Sequence, residues 1–428
     1  MRIDRRKRPN TDSPERANGR LWVVSELYWP EETSTGHVMT GIAEGLARSA
    51  QVSVLCGQPS YSKRGVKAAR RQNRNGVAIR RVWSTRLDKN TKLGRALNYL
   101  SVSGSLFSAA LFAIRREDSV LVVTNPPTLP YVVAAASRLR GVPYWLMVHD
   151  IFPDLPIALG WFEKTSVIAR LAESAARWLY RGAAGISVLG RDMAATVAET
   201  AHLPNGDGRV AVITNWADLD LIQPLHRSDS LLLNRLGLGD HFVVQFAGNI
   251  GPLQDVPTVV AAMGLLRNRP DIHLLVVGSG QLRPWLESEV KRLELKNVTV
   301  IDAVSRDHAG EVHQACDIAI VSLIDGMLGV SVPSRTYNFM AAGRPIIAAV
   351  DPDSEVGRTV AEEEVGWVVG SGDANALAHA VRLAADDPDR VAEMGSRARR
   401  VAEASYSRDA VVSAMARFLR LTGPGRHD

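Results

Sequence analysis

The sequence predicts an α/β protein built on two parallel sheets. Three observations carry this. Apolar runs of strand length alternate with segments of helix length along most of the chain. A polar, Pro-containing stretch without periodicity, "WADLDLIQPLHRSDS" at 216–230, interrupts the alternation. A second series of the same kind follows it. Parallel strands are covered on both faces, so they read as near-continuous apolar runs.

The first series opens with "RLWVVSELYWP" at 20–30, a strand running into a Pro-containing loop. "TGHVMTGIAEGLARSA" has helical spacing, and "QVSVLCG" at 51–57 is the next strand. Strand, helix, strand over about forty residues is a βαβ unit. Further strands are expected at "GVAIRRVW" (76–83), "SVLVVTNP" (119–126), "PYWLMVHD" (143–150), "AAGISVLG" (183–190) and "VAVITN" (210–215). The second series supplies "FVVQFAGNIG" (242–251), "HLLVVGSG" (273–280), "NVTVID" (297–302), "DIAIVSL" (317–323), "PIIAAV" (345–350) and "GWVVG" (366–370), then helices from about 374 to 421.

With 428 residues, 46% hydrophobic and 22% charged, the chain has length for two domains of ordinary size and is not a disordered polymer. Its two cysteines, Cys56 and Cys316, lie in or beside apolar runs, as buried reduced thiols of a cytoplasmic protein would. The net charge is +6, and the first twenty residues hold seven basic and three acidic side chains with almost nothing apolar. Residues 1–19 read as a disordered basic arm, either simply solvated or drawn to an anionic membrane surface. Zinc-finger spacing, an RNP-type aromatic pattern and a basic recognition helix are all missing, which argues against nucleic acid as a partner.

The stretch 91–116, "TKLGRALNYLSVSGSLFSAALFAIRR", is a long helix with basic ends. Its uncharged run from Ala96 to Ile114 is at the edge of spanning length, though Ser and Gly dilute it. It reads as a helix buried on the first sheet, one lying in a membrane interface, or a transmembrane span.

Ligands of open α/β sheets sit beyond the carboxyl ends of the strands. There the sequence places Thr35-Gly36, the Gly-rich turn with Gly248, Asn249, Gly251 and Gln254, the "GSGQL" turn with Gly278, and "DGMLGVS" at 325–331. No GxGxxG follows Gly278, which argues against a dinucleotide fingerprint. His149 ends an apolar strand ahead of Asp150 and Asp154. It is either a hydrogen-bonded core imidazole or a cleft-edge partner of a sugar hydroxyl. No second His at ligand spacing and no DxD pair at a strand end point to a metal. In "VPSRTYNFMAAGRP", 332–345, Pro333 and Ser334 suit the first helical positions and Gly343 the end. The start of such a helix can hold an anion, and Ser334, Arg335, Tyr337 and Asn338 bring no carboxylate to it.

The motifs "YWPEETSTGH", "HDIFPDLPIALG", "VITNWADLD", "FAGNIGPLQD", "VVGSG" and "VPSRTYNFMAAGRPIIA", in this order, resemble the family-4 retaining glycosyltransferases of the GT-B fold. The likeness covers about residues 20–425. It is strongest to the bacterial branch that builds capsule, O-antigen, colanic-acid-type and other surface polysaccharides, including the fucosamine transferases. The resemblance implies two Rossmann-like parallel-sheet domains facing across a cleft. Residues 20–215, completed by a C-terminal helix at about 405–425, would bind the acceptor. Residues 216–230 would link them, and 231–404 would bind the nucleotide sugar. It implies a retained anomeric configuration, no permanently bound cofactor and no metal. A UDP-sugar is the expected donor, and a hydroxyl of a lipid-linked or other glycan the expected acceptor. The transferred group would be a hexosyl or N-acetylhexosaminyl unit, and the enzyme would be cytoplasmic, in reach of the inner face of the plasma membrane. A GT-B sugar-nucleotide epimerase and a non-catalytic scaffold of a polysaccharide complex are the alternative readings.

The sequence departs from the family where the donor would sit. Many members carry two Glu across the 330–338 stretch; here the positions are Val330 and Asn338. Asn338 can still bond ribose hydroxyls. Val330 cannot, leaving Asp325, Ser331 and backbone N–H groups for the sugar. The Arg and Lys that hold the diphosphate in many members read Asn249 and Gln254 here. Arg335, expected one turn into its helix, is the replacement cation, with a guanidinium fork for phosphate oxygens. The expected catalytic residues are therefore His149, Asp150 and Arg335. The expected donor contacts are Gly36, Gly248, Asn249, Gly251, Gln254, Gly278, Ser331, Ser334, Arg335 and Asn338.

Overall fold

The computed structural model describes residues 19–60, 67–88, 91–204 and 207–421. The expected basic arm lies outside these residues apart from Gly19.

The first lobe carries β1 (Leu21–Ser25), β2 (Val52–Cys56), β3 (Arg71–Arg74), β4 (Val77–Arg81), β5 (Ser119–Val123), β6 (Tyr144–Val148), β7 (Gly185–Val188) and β8 (Val210–Val212). Its helices are α1 (Ser34–Leu46), α2 (Lys92–Ala113), α3 (Leu129–Arg140), α4 (Asp154–Ala158), α5 (Val167–Gly182) and α6 (Arg191–Ala201). The sheet order is β3-β4-β2-β1-β5-β6-β7-β8, parallel except for β3. The sequence pattern does not announce β3, whose residues "RQNR" are all polar. It forms because Asn75 and Gly76, with φ of 45° and 81°, make a tight turn that folds it back on β4.

The second lobe carries β9 (Phe242–Asn249), β10 (Ile272–Ser279), β11 (Val298–Ile301), β12 (Ile318–Ser322), β13 (Ile346–Ala349) and β14 (Gly366–Val369), in the order β11-β10-β9-β12-β13-β14. Every pairing within it is parallel. Its helices are α7 (Leu231–Leu236), α8 (Val256–Leu265), α9 (Arg283–Arg292), α10 (Ala309–Gln314), α11 (Arg335–Ala341), α12 (Glu355–Glu362), α13 (Ala374–Asp386), α14 (Pro388–Ser405) and α15 (Arg408–Phe418). In each sheet the chain reverses its direction of strand addition beside the first strand, between β1 and β5 and between β9 and β12. Such a switch point opens a crevice at the carboxyl edge.

The last helix returns to the first lobe. Val411, Val412 and Met415 of α15 share a core with Val23, Ile42 and Val54. The approach needs a bare backbone: a Cβ on Gly45 would lie 2.6 Å from a Val412 methyl. Another core is continuous between lobes, holding Val148 and Ile151 together with Val330 and Val332.

Helix α2 packs one face on the first sheet through Val102, Leu106 and Ala110, all buried. By length and composition, Leu93–Ala113 is apolar enough to cross a membrane, yet only 33% of its apolar window is buried in the protein. Its other face, with Leu93, Leu97, Leu100 and Phe112, is exposed. Cys56 and Cys316 are buried, and burial pushes both thiols up to about 12, which keeps them protonated and unreactive.

Candidate active site

The carboxyl edges of the two sheets enclose a cleft of about 710 Å³. Its floor on the second lobe is the end of β9 at Gly248 and Asn249, the end of β10 at Gly278 and Ser279, and the start of α11. The first lobe contributes the start of α1, at Glu32, Thr33 and Ser34.

Two glycines of this floor are required, Gly278 by contact and Gly248 by its backbone angle. Gly278 pairs with Gly248 in register, and a Cβ on Gly278 would fall 1.9 Å from the Gly248 carbonyl oxygen. Gly248 is required by its φ of 116°, which other residues rarely adopt; a Cβ there would only touch the Arg335 guanidinium, at 3.4 Å.

Arg335 is the cation of the floor. Its Nη2 donates to the Asn249 carbonyl oxygen at 3.2 Å, and its Cζ stands 4.8 Å from the centre of the Phe246 ring. Nη1 is buried and makes no hydrogen bond. Burial pushes the guanidinium down to about 10, and among the described residues no carboxylate forms an ion pair with it. The side chain as a whole is half-buried and faces the cleft, and a charge held there without a carboxylate partner carries a cost. Helix α11 begins at Arg335 itself, later than the sequence suggests, and has seven residues. Pro333 and Ser334 thus precede it, and the Ser334 side chain caps no N–H. Arg335 is the first helical residue rather than one turn in.

Several expected donor contacts are engaged within the protein. The Gly36 N–H donates to Thr33 Oγ1 at 3.3 Å in the cap of α1, and Gly36 is absent from the cleft lining. Gln254 folds back to accept from the Gly251 N–H at 3.1 Å, which ties the Gly-rich turn to itself. Asn249 and Asn338 line the cleft, and the Asn338 amide makes no hydrogen bond to the described protein. Asp325 accepts from the Gly326 N–H, and Val330 is buried, its carbonyl oxygen accepting from Ile151 N–H at 3.0 Å.

The lobes touch at the cleft. Ser34 Oγ and Ser334 Oγ are 3.1 Å apart. Asp150 and Ser331 form an antiparallel bridge, and the Ser331 side chain hydrogen-bonds the Asp150 carboxylate. Burial nonetheless raises Asp150 above the usual carboxylate range. His149, beside it, is buried, with its backbone N–H donating to Thr124 Oγ1 at 3.0 Å. Its Nε2 has no partner, and burial pushes the imidazole down to about 4, so it is neutral at pH 7. Neither His149 nor Asp150 is in the lining of the cleft.

The structure adds residues the sequence reading does not anticipate. Arg306 enters the cleft just beyond β11, and burial lowers it, with Asp218 and Glu32 acting against that shift. His313 donates from Nδ1 to the Ala309 carbonyl oxygen at 2.7 Å. Burial, then Arg306 and Arg335, push it down to about 4. His37 packs on Trp216 at 4.5 Å between ring centres, and burial, Arg306 and Arg408 push it to about 3. Asp218 lies 4.0 Å from His37, too far for a hydrogen bond, and the ring stays neutral. The only sequence signal for Arg306 was its position a few residues past a strand end.

Residues 35–216 match the glycosyl transferase 4-like domain, and residues 234–401 match the family described as glycosyl transferases group 1. A probable glycosyltransferase of Pseudomonas aeruginosa, WbjE, is 30% identical over 302 residues, 69% of this chain and 73% of that protein. This chain belongs to the glycosyltransferases. A putative colanic acid biosynthesis glycosyl transferase of Escherichia coli strain K12, WcaI, is 26% identical to this glycosyltransferase over 79% of the chain and 85% of its own length. Sucrose-phosphate synthase from Thermosynechococcus elongatus superposes with a TM-score of 0.73 at 17% identity, covering 94% of this chain and 98% of its own. Anabaena HepE in complex with UDP-glucose gives 0.69 at 16% identity, covering 94% of this glycosyltransferase and all (100%) of its own chain. The fold of the glycosyltransferase is GT-B, with two α/β lobes and the cleft between them. Among the described residues, no three His, Cys, Asp or Glu side chains gather where they would hold a metal ion.

Proposed function

We propose that this glycosyltransferase moves a hexosyl or N-acetylhexosaminyl group from a UDP-sugar to a hydroxyl of a lipid-linked saccharide, with retention of anomeric configuration, in the cytoplasm. The colanic-acid name of one relative and the UDP-glucose complex of one structural neighbour support the pathway class and the donor class. The observation that carries the reading is Arg335: a half-buried cation facing the cleft without a carboxylate partner, beside the strand ends at Gly248 and Gly278. A diphosphate supplies the missing countercharge in the cleft beside the strand ends at Gly248 and Gly278. Asn338 bonds the ribose, and Arg306 adds a second positive charge further along the cleft.

In the transfer, the bond from the anomeric carbon to the β-phosphate oxygen breaks, and a bond from the acceptor oxygen to the same face forms. The acceptor proton passes to the departing phosphate. Arg335 stabilises the charge that develops there, the role a metal would otherwise fill. The cleft lining holds two carboxylates, Glu32 and Asp218, and both act on Arg306, whose charge they support.

The test is a thermal-shift panel of UDP, GDP, ADP, TDP and CMP, each with and without EDTA. A ligand that binds only the folded state raises the melting temperature. The reading expects UDP to give the largest shift, unchanged by EDTA. A shift that needs a divalent ion, or no shift with any nucleotide, would count against it.

A further inference from the structure

The first lobe exposes two apolar patches on the rim that carries the cleft. Helices α2, α3 and α5 run back between parallel strands, so their first turns lie at the carboxyl edge of the sheet. At the start of α2, Leu93 (71% exposed), Leu97 and Leu100 form a stripe at helical spacing. The segment after β4 adds Trp83 (64% exposed) and Leu87. It is pinned to α2 by buried Asn98, whose Oδ1 accepts from the Leu87 N–H at 3.0 Å and from Thr85 Oγ1 at 2.8 Å. At the start of α5, Val167 (71% exposed), Ile168 and Leu171 stand beside Trp161 (66% exposed). Trp161 follows α4, whose Ala158 borders Gly326 in the loop after β12. The second patch therefore borders the loop between β12 and α11, whose Leu323 and Ser331 line the cleft.

Basic side chains flank both patches: Arg86 and Arg95 by the first, exposed Lys164 and Arg170 by the second. Acidic Asp88 and Glu163 are fewer. The asymmetry extends through the chain. Residues 1–216 hold 30 Lys and Arg against 17 Asp and Glu, whereas residues 217–428 hold 21 against 28. One half is strongly basic and the other acidic, a distribution that orients a molecule in the field of a charged surface.

We propose that these two patches are a docking surface for an anionic phospholipid bilayer, with Trp161, Val167, Ile168 and Leu171 entering the headgroup boundary and the flanking Arg and Lys meeting lipid phosphates. A second copy of the chain is the poorer occupant, because two basic rims would repel each other across a symmetric contact. A bilayer is anionic, wide and apolar a few ångströms down, and it satisfies both patches at once. The surface lies on the cleft side, so docking brings the cleft mouth to the membrane. Delivery of a lipid-linked acceptor there rests on the transferase reading above, while the docking itself does not.

The experiment is co-sedimentation of the full chain with vesicles of phosphatidylcholine alone and of phosphatidylcholine with about one-third phosphatidylglycerol. The expected result is binding at least ~10-fold stronger to the anionic vesicles, weakened by salt. The triple variant Trp161→Ser, Ile168→Ser, Leu171→Ser is expected to lose ~10-fold or more of that binding, given the apolar area removed. Its thermal shift with UDP should match wild type. An unchanged UDP shift also shows that the variant is folded, and separates failure of docking from failure of the donor assignment. The proposal is overturned by absence of binding to anionic vesicles or by equal binding of the triple variant. Loss of binding only when residues 1–18 are deleted overturns it too, as does a vesicle-free dimer that the same substitutions abolish.

Discussion

Arg335 Nη2 is 3.2 Å from the carbonyl oxygen of Asn249, so the cation of α11 is clamped to the turn after β9. That contact leaves Nη1 without a partner. Replacing Arg335 by Met should therefore separate two quantities. The unliganded protein loses an uncompensated charge and should keep or gain melting temperature. UDP affinity should fall ~10- to 100-fold, the worth of a charge-assisted hydrogen bond to phosphate. Calorimetric titration beside a melting curve reads both, and unchanged UDP affinity would remove Arg335 from the site.

Gly278 faces the Gly248 carbonyl oxygen across the β9–β10 pair, with no space for a side chain. Gly278→Ala should spread these strand ends, cost about 1–3 kcal/mol in urea unfolding, and weaken UDP binding. An equally stable variant with normal binding would show that the strand ends part freely.

Burial holds His149, His273 and His313 at about 4 and His37 at about 3. A lowered folded pKa means that the unfolded chain binds more protons between about 4 and 6.5. The stability is therefore complete above pH 6.5 and is lost as pH falls from there towards 4. Each histidine contributes on the order of 1–3 kcal/mol over that window. Urea midpoints at pH 7.5, 6 and 5 should fall in that order, and His149→Gln should flatten the slope. Asp150, raised by burial, works in the opposite sense at the acid end. A flat profile from 7.5 to 5 would mean that these rings are not buried in solution.

Asn98 holds the segment 85–87 by three hydrogen bonds of 2.8 to 3.0 Å while being buried itself. Asn98→Ala leaves the Leu87 N–H and carbonyl without partners, and should cost about 1–3 kcal/mol. It should also raise protease sensitivity near residue 87. Stability within 0.5 kcal/mol or so of wild type would indicate that water replaces the amide.

The amino-acid sequence by itself determined the two parallel sheets and nearly every strand. Fully buried strands must be continuous apolar runs, and crossover helices must separate them, so the pattern is local and legible. It also singled out Gly248, Gly278 and Arg335, because a bare turn beside a strand end and a cation at a helix start are local features. Strand β3 was legible only in its Asn75-Gly76 turn, since an edge hairpin of polar residues buries little. The tertiary structure alone decided which of the named groups are free. Gly36 and Gln254 are absorbed by their own loops, and Ser331 by Asp150 of the other lobe. It alone brought Glu32, Asp218, Arg306 and His313 to one cleft. These residues are up to 281 positions apart, Glu32 to His313, and their meeting depends on how one sheet edge faces another. No short-range periodicity encodes that distance, whereas burial, unpaired charge and contact across the cleft express it directly.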